Sequence, residues 1–496
     1  MPTDYSLFAR RSGAATLAIA LMLGTAACST SSDATTTDAS AITTAGSLFD
    51  SSTVNTISIE VDEAEYDAAI AAYLDGGDKE WISATVTIDG ETFENVGLRL
   101  KGNSSLRDLT ADAAQEPENL PWLVRLDKYE DDQSLDGVTS FVIRSNTTET
   151  ALNEAIALEL IGMSGLATEE ATATRLSFNG GEESLRLVIE NPDDAWMDIE
   201  FEDDGILYKA ESTGDYTYRG DDAESYDEVF DVEAGEEDYA PLTEFLQFIN
   251  ESDDETFAAE LADHLDVDAF ATYLAMQTLV DNFDDIDGPG NNSYLYYDDE
   301  TGQMTVVAWD QNLSFGVRNA GEGAVGGRGG QVGGELPADG QLPADGELPA
   351  DGQLPADGEL PADGQLPADG QAGGGRPVPP TTGELPADGE LPADGQLPAD
   401  GQLPADGAAG PEALAGGRGD AGALGSNILS ERFLADETFS ALVADRLAEL
   451  TDELYSSGSA AEILATWSAV LTEQAGDLVS SDTITTEAAS ISAYFD

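Results

Sequence analysis

The chain has 496 residues, with 99 acids against 19 lysines and arginines, a formal charge of −80, one histidine and one cysteine. A charge of that sign and size repels nucleic acid and anionic membrane surfaces, so neither is expected as a partner. One histidine, His264, cannot build a zinc site or serve a Ser/His/Asp triad and reads as a surface residue of a helix over Ala258 to Leu265. What remains is carboxylate, lysine and metal chemistry on a chain long enough for one large domain or two ordinary ones.

Residues 1–28 read as a bacterial lipoprotein signal. Arg10 and Arg11 precede an apolar run from Ala14 to Leu23 that is too short to span a membrane, and small residues lead into Cys28. Cys28 is the expected lipidation site, which would place the mature protein outside the cytoplasm and on the membrane only through its lipid; ordinary secretion is the alternative. Residues 29–54 are rich in Ser, Thr, Ala and Asp without periodicity, as in a tether. From 55 to 318 the pattern is globular. Ser58 to Val61 alternates as a strand, Glu63 to Leu74 repeats at helical spacing and stops at Gly76-Gly77, and Asp89-Gly90 joins strands Ile82–Ile88 and Val96–Leu100. The second strand runs into Lys101-Gly102-Asn103-Ser104, a basic strand entering a small-residue turn of the kind whose backbone N–H groups can cradle phosphate. Six of the nineteen cations lie between Arg99 and Arg144, including Lys101 and Arg125.

Further strands are expected at Leu123–Leu126, Ser140–Arg144, Ala173–Phe178, Leu185–Ile189 and Gly205–Ala210, the last carrying Lys209 near its end. In the helix Ala151 to Gly162, Glu154 and Glu159 stand roughly 140° apart, at about 100° per residue, so they cannot share a face. Tyr239 to Leu279 reads as helical and leads into an Asp/Asn-rich Gly-Pro loop. A hairpin follows, with strands from Ser293 to Tyr297 and from Met304 to Asp310. It would deliver carboxylate and amide oxygens to one end of a sheet, where they suit Mg2+ or Ca2+. Asp285-Ile-Asp287-Gly lacks the remaining acids of an EF-hand.

Residues 319–425 hold ten copies of Glu/Gln-Leu-Pro-Ala-Asp-Gly, six from Glu335 and four from Glu384. One Leu in six cannot form a core, and each Pro removes a ladder N–H, so a disordered acidic insert is expected. It either tunes substrate access at the active-site rim or is a repeat expansion in a tolerant loop. Helical stripes resume over 426–496 and are expected to pack back on the domain.

Five separated words resemble the CotH kinase family, named after spore coat protein H, and occur in its order across most of Thr56 to Gly316. They are Val96–Ser105, the strand end and Glu-bearing helix of Ser145–Glu159, Gly205–Lys209, Asn282–Tyr296 and Val307–Gly316. The resemblance implies an α+β, divergent protein-kinase-like domain, interrupted by the insert, that phosphorylates Ser or Thr of an extracytoplasmic protein with ATP and Mg2+ or Mn2+. It also assigns roles. Asp310 and Asn292 become metal ligands, and Asp284 the catalytic carboxylate. Asp287 rivals it, standing five residues before Asn292 as the catalytic-loop Asp stands before its Asn in ordinary kinases. Lys101, Lys209 and Arg125 become phosphate contacts beside the Gly102-Asn103-Ser104 turn, with Glu154 as lysine partner. The chain departs from the family at Asn312, where many members carry Asp, and at Pro121 and Trp122, where a basic residue is usual. Two other readings compete with a kinase: a catalytically silent, kinase-shaped surface or adhesion module, and an acidic cation-binding surface protein.

Overall fold

The structure is a computed structural model that describes residues 48–107, 109–201, 204–212, 214–286, 292–318 and 427–495. The signal, Cys28, most of the tether, the repeat insert and Asp287 lie outside the described residues.

Seven strands close into a barrel: β1 (Val54–Val61), β2 (Ile82–Ile88), β3 (Glu91–Leu100), β4 (Trp122–Arg125), β5 (Ser140–Ile143), β6 (Ala171–Phe178) and β7 (Ser184–Glu190). Neighbours run antiparallel except β1 and β6, whose parallel pairing from Val54–Ala173 to Ile59–Phe178 closes the ring. Closure leaves no exposed edge in a sheet built from short strands. Residues alternate in and out. Ile57, Val86, Leu98, Val124, Phe141 and Val188 fill the barrel, together with a Tyr66, Trp122 and Phe178 aromatic cluster. The Asp89-Gly90 turn has positive φ at both residues, the geometry of a two-residue hairpin. Helix α1 (Glu63–Gly76) is capped by Asp62 at its start and by left-handed Gly77 at its end, as the sequence indicates. The folded part begins earlier than expected, since Leu48 and Phe49 are buried in the barrel core and the Asn55 amide donates to the Leu48 carbonyl.

The outer barrel face, carrying Leu123, Val142, Ala173 and Ile189, packs on a second and larger core. That core holds α2 (Leu152–Met163), α3 (Asp194–Glu200) and a four-stranded antiparallel sheet in the order β11 (Met304–Ala308), β10 (Ser293–Asp298), β8 (Gly205–Ala210), β9 (Phe230–Ala234). The stretch Tyr239 to Leu279, expected to be helical, holds three helices: α4 (Ala240–Glu251), α5 (Asp254–Glu260) and α6 (Val267–Leu279). Asp253 and Asp266 each cap the helix that follows them, so the breaks carry their own start signals. His264 lies in the second break, stacked 4.0 Å from the Phe248 ring.

After the insert come α7 (Ile428–Ala435), α8 (Glu437–Leu450), a π turn (Thr451–Ser456), α9 (Ser459–Gln474) and α10 (Ser481–Ser492). They pack back as expected. The Glu487 carboxylate accepts from the Glu149 and Thr150 N–H groups, at 3.1 and 3.0 Å, tying α10 to the segment just before α2, whose Leu152 N–H donates to Thr150 Oγ1 at 3.2 Å. Arg175 on β6 forks onto Asp477 with N···O distances of 2.9 and 2.6 Å. The whole is α+β, and among the described residues no helix is long and apolar enough to cross a membrane.

Candidate active site

The site forms where one end of the β8–β10–β11 sheet meets the outer face of the barrel. Register sets half of it. Tyr294 pairs with Lys209 on one side and with Val307 on the other, so the end of β8, the start of β10 and the end of β11 coincide. Lys209, Asn292 and the Trp309-Asp310 pair thus come from distant sequence to one sheet end. The second hairpin strand stops at Ala308, two residues short of the expected Asp310, because Asp310 turns left-handed at φ 60° to open a one-turn 3-10 helix, Gln311–Leu313. Beyond it the Phe315 N–H donates to the Val280 carbonyl at 2.6 Å, tying this segment to the loop that follows α6.

That loop carries Asp284. Buried Asn282 donates to Gln277 Oε1 at 2.9 Å and accepts from the Asp284 N–H at 3.3 Å, while the Asn292 amide donates to the Asp284 carbonyl at 2.8 Å. Ile286, fully buried, anchors the other side. Asp284 and Asn292 are brought together; for the rival Asp287 no position is described.

The barrel supplies the cations. Arg99 and Lys101 point outward from the strand whose Leu98 and Leu100 point in. Lys101 Nζ donates to Asn191 Oδ1 at 2.8 Å and stands 5.2 Å from the centre of the Trp309 ring. Burial pushes this ammonium down to about 8; Glu233 opposes the shift and Lys209, Arg99 and Arg144 add to it. Lys209 is held by Glu211, with Glu233 at 3.8 Å. The chain contains four lysines, Lys79, Lys101, Lys128 and Lys209. Three of them lie in one electrostatic neighbourhood, since Lys79 and Lys101 both respond to the charges of Lys209 and Arg99. The fourth, Lys128, shares the Trp81 ring with Arg99, at 4.8 and 4.7 Å.

Glu154 meets an arginine where a lysine was expected. Its carboxylate, 2% exposed, receives Arg144 Nη2 at 2.9 Å and Nε at 3.1 Å, and the same guanidinium reaches Asp310. A fork of fixed geometry can bridge two carboxylates in this way, which a lysine point charge does less well. Burial works against the Arg144 charge, but Asp310 and Glu154 outweigh it and hold the guanidinium above its ordinary value. Burial pushes Glu154 up to about 7 despite Arg144, with the Asp310 charge adding to the rise. Arg144 is the site residue that sequence reading counted among the clustered cations but left without a role. The signal was its place, directly after an apolar strand, as Lys101 follows Leu98–Leu100 and Lys209 follows Ile206–Tyr208. Glu159 points elsewhere and accepts from Trp467 Nε1 at 3.1 Å, as the angular argument requires.

Arg125 is exposed on the barrel and paired with Asp127 at 3.0 Å. Gly102 has φ 115°, and a Cβ there would meet the Ser105 hydroxyl, which accounts for glycine at this turn; Asn103 is exposed, and the Ser104 side chain lies outside what is described. Asn312 gives its backbone carbonyl to the Asn153 amide.

A carboxylate and an amide at adjoining strand ends, Asp310 and Asn292, are hard oxygen donors and fit Mg2+ or Mn2+. The surrounding cations fit a phosphate chain. The family model described as CotH kinase protein matches residues 98–342, which include every site residue above except Lys79. Over that stretch, just under half of its length, the chain is similar to the CotH kinase family. A curated CotH relative, inner spore coat protein H of Bacillus subtilis (strain 168), is 25% identical over 171 residues, 33% of this chain and 46% of the relative. The match thus spans less than half of that relative's length.

Proposed function

We propose that this chain is an atypical protein kinase, transferring the γ-phosphoryl group of ATP to Ser or Thr of an extracytoplasmic protein with Mg2+ or Mn2+. The observation that carries the reading is the convergence of Lys101, Lys209 and Arg144 on Asp310 and Asn292 in a chain with so few cations. Phosphoryl transfer asks mainly for positioning and charge, without His or Cys. The substrate hydroxyl oxygen would bond to the γ-phosphorus as the bond to the ADP oxygen breaks, and its proton would pass to Asp284. Lys101 and Lys209 would hold phosphate oxygens. Asp310 and Asn292 would hold the metal, which supplies positive charge to the phosphate chain. The signal ending at Cys28 supports a lipid-anchored, extracytoplasmic setting.

A catalytically silent binding module is the second reading. It is favoured by the way the cations are already matched, Lys209 by Glu211 and Arg144 by Glu154 and Asp310. Purified protein with labelled ATP and Mg2+ or Mn2+, beside Asp310→Ala, separates the two. Metal-dependent label lost in the variant supports the kinase. Absence of label from the wild type, on itself and on candidate substrates, would overturn it.

A further inference from the structure

Lys101 ends a line of side-chain hydrogen bonds that starts at the cap of α3. Asp193 caps α3 with Oδ1, accepting from the Ala195 and Trp196 N–H groups at 3.1 and 3.2 Å. Its Oδ2 accepts from Ser140 Oγ at 2.6 Å and from Thr139 Oγ1 at 3.3 Å. Ser140 in turn accepts from Asn191 Nδ2 at 3.1 Å, and Asn191 Oδ1 faces Lys101 Nζ at 2.8 Å. Ser140 and Asn191 are buried, at 4% and 8% exposure, so water does not replace these partners cheaply.

The line runs in one direction only. A carboxylate accepts and does not donate, so Ser140 spends its one proton on Asp193 and must accept from its other neighbour. Asn191 is therefore obliged to turn its NH2 toward Ser140 and its carbonyl oxygen toward Lys101. The reverse orientation would place an NH2 group against the ammonium and leave two donors facing each other. The helix cap thus fixes the amide orientation that fixes the lysine. At its other end Lys101 lies over Trp309, the residue before Asp310.

We infer that Asn191, oriented by Ser140 and Asp193, is a positioning residue that sets the Lys101 ammonium over Trp309, the residue before Asp310, where it meets the phosphate chain. The inference deepens the kinase reading and rests on it for the phosphate. The placement of Lys101 itself does not depend on that reading. Nothing in the isolated sequence connects Asn191 to Lys101, which lie 90 residues apart.

The test uses the full chain with Asn191→Leu, which removes the acceptor at similar size, Asn191→Asp, which keeps an acceptor, and Ser140→Ala, which releases the amide orientation. Two readouts are taken at matched melting temperature. One is KM for ATP against kcat. The other is competitive acylation of the four lysines, each identified by peptide mass. Asn191→Leu is expected to raise KM roughly tenfold, the scale of a lost charge-assisted hydrogen bond, with a smaller change in kcat. It should also change Lys101 acylation severalfold while leaving Lys128 as it was. Asn191→Asp should restore both toward wild type, and Ser140→Ala should fall between. Unchanged Lys101 acylation in Asn191→Leu overturns the inference. If the wild type shows no ATP turnover, the kinase reading fails, and the acylation pattern still decides whether Asn191 positions Lys101.

Discussion

Replacing Arg144 with glutamine isolates the energetics of the site. Glu154 is 2% exposed, and its carboxylate faces Arg144 Nη2 and Nε at 2.9 and 3.1 Å. Removing the guanidinium leaves a buried acid without its countercharge, an event that costs about 3–5 kcal/mol. For a domain of this size that amounts to a fall in melting temperature on the order of 10 °C. The pH dependence makes the reasoning specific. Glu154 titrates at about 7 in the folded protein against an ordinary 4.5, so the folded state holds the extra proton through that window. Stability linked to that proton is fully present below the unfolded value and is lost as pH rises through the folded one. In Arg144→Gln the opposing pull of Arg144 is gone, and the folded value moves higher still. The deficit against wild type should therefore be small at pH 5, where Glu154 is neutral in the variant, and largest near pH 8. Differential scanning fluorimetry at the two pH values measures it. An equal deficit at both would refute the view that Glu154 burial sets the cost, and would point to lost packing against Trp309 instead.

Gly316 has φ 69°, and a Cβ there would meet the Tyr494 hydroxyl, which itself donates to Asp281 at 3.1 Å. Gly316→Ala should lose about 1–2 kcal/mol in urea unfolding, and the loss should shrink in the Tyr494→Phe background. Asp284→Asn should cut turnover by roughly a hundredfold or more while Mn-ATP binding by calorimetry stays within a few-fold, the separation expected of a group that acts only on the proton in flight. Asp310→Asn should show the opposite order, with metal affinity falling first. Expressed in a bacterial host with its leader, Cys28→Ser should move the protein from the membrane fraction into the soluble extracytoplasmic fraction, read by fractionation and palmitate labelling.

Several strands and helices were legible in the sequence through the spacing of their apolar residues and the turn residues that bound them. β2 and β8 fall on their expected residues, and α2 and β10 start or end within one residue of expectation. What escaped has physical causes. β9 reads Phe-Asp-Val-Glu-Ala, a five-residue alternation that stands out little between the acids on either side of it, and its polar face sets Asp231 and Glu233 near Lys209. α3 is only seven residues long, and its cap Asp193 looks like one acid among many. Barrel closure depends on the parallel β1–β6 pairing, which no local pattern encodes. Individual site residues were legible through their place at strand ends, whereas their pairings were not. Arg144 could be counted but not joined to Asp310, since that contact spans 166 residues and is made only when barrel and sheet meet.

The charge layout of the cleft argues for an anion more strongly than the count of cations does. Lys101, Lys209, Arg99 and Arg144 repel one another, and Lys101, whose ammonium burial already drives toward losing its proton, is pushed further the same way by the other three. In a chain with 99 acids the cheap arrangement is to spread so few cations over the surface, each beside several carboxylates. The fold instead spends burial on gathering them, then tempers the repulsion with acids, half-buried Glu211 and Glu233 on Lys209 and buried Glu154 on Arg144. Such a concentration lowers stability unless something negative arrives, and strain of that kind is tolerated where it serves a ligand. Asn191 shows that the gathering is directed. A neutral acceptor holds Lys101 in place without cancelling its charge.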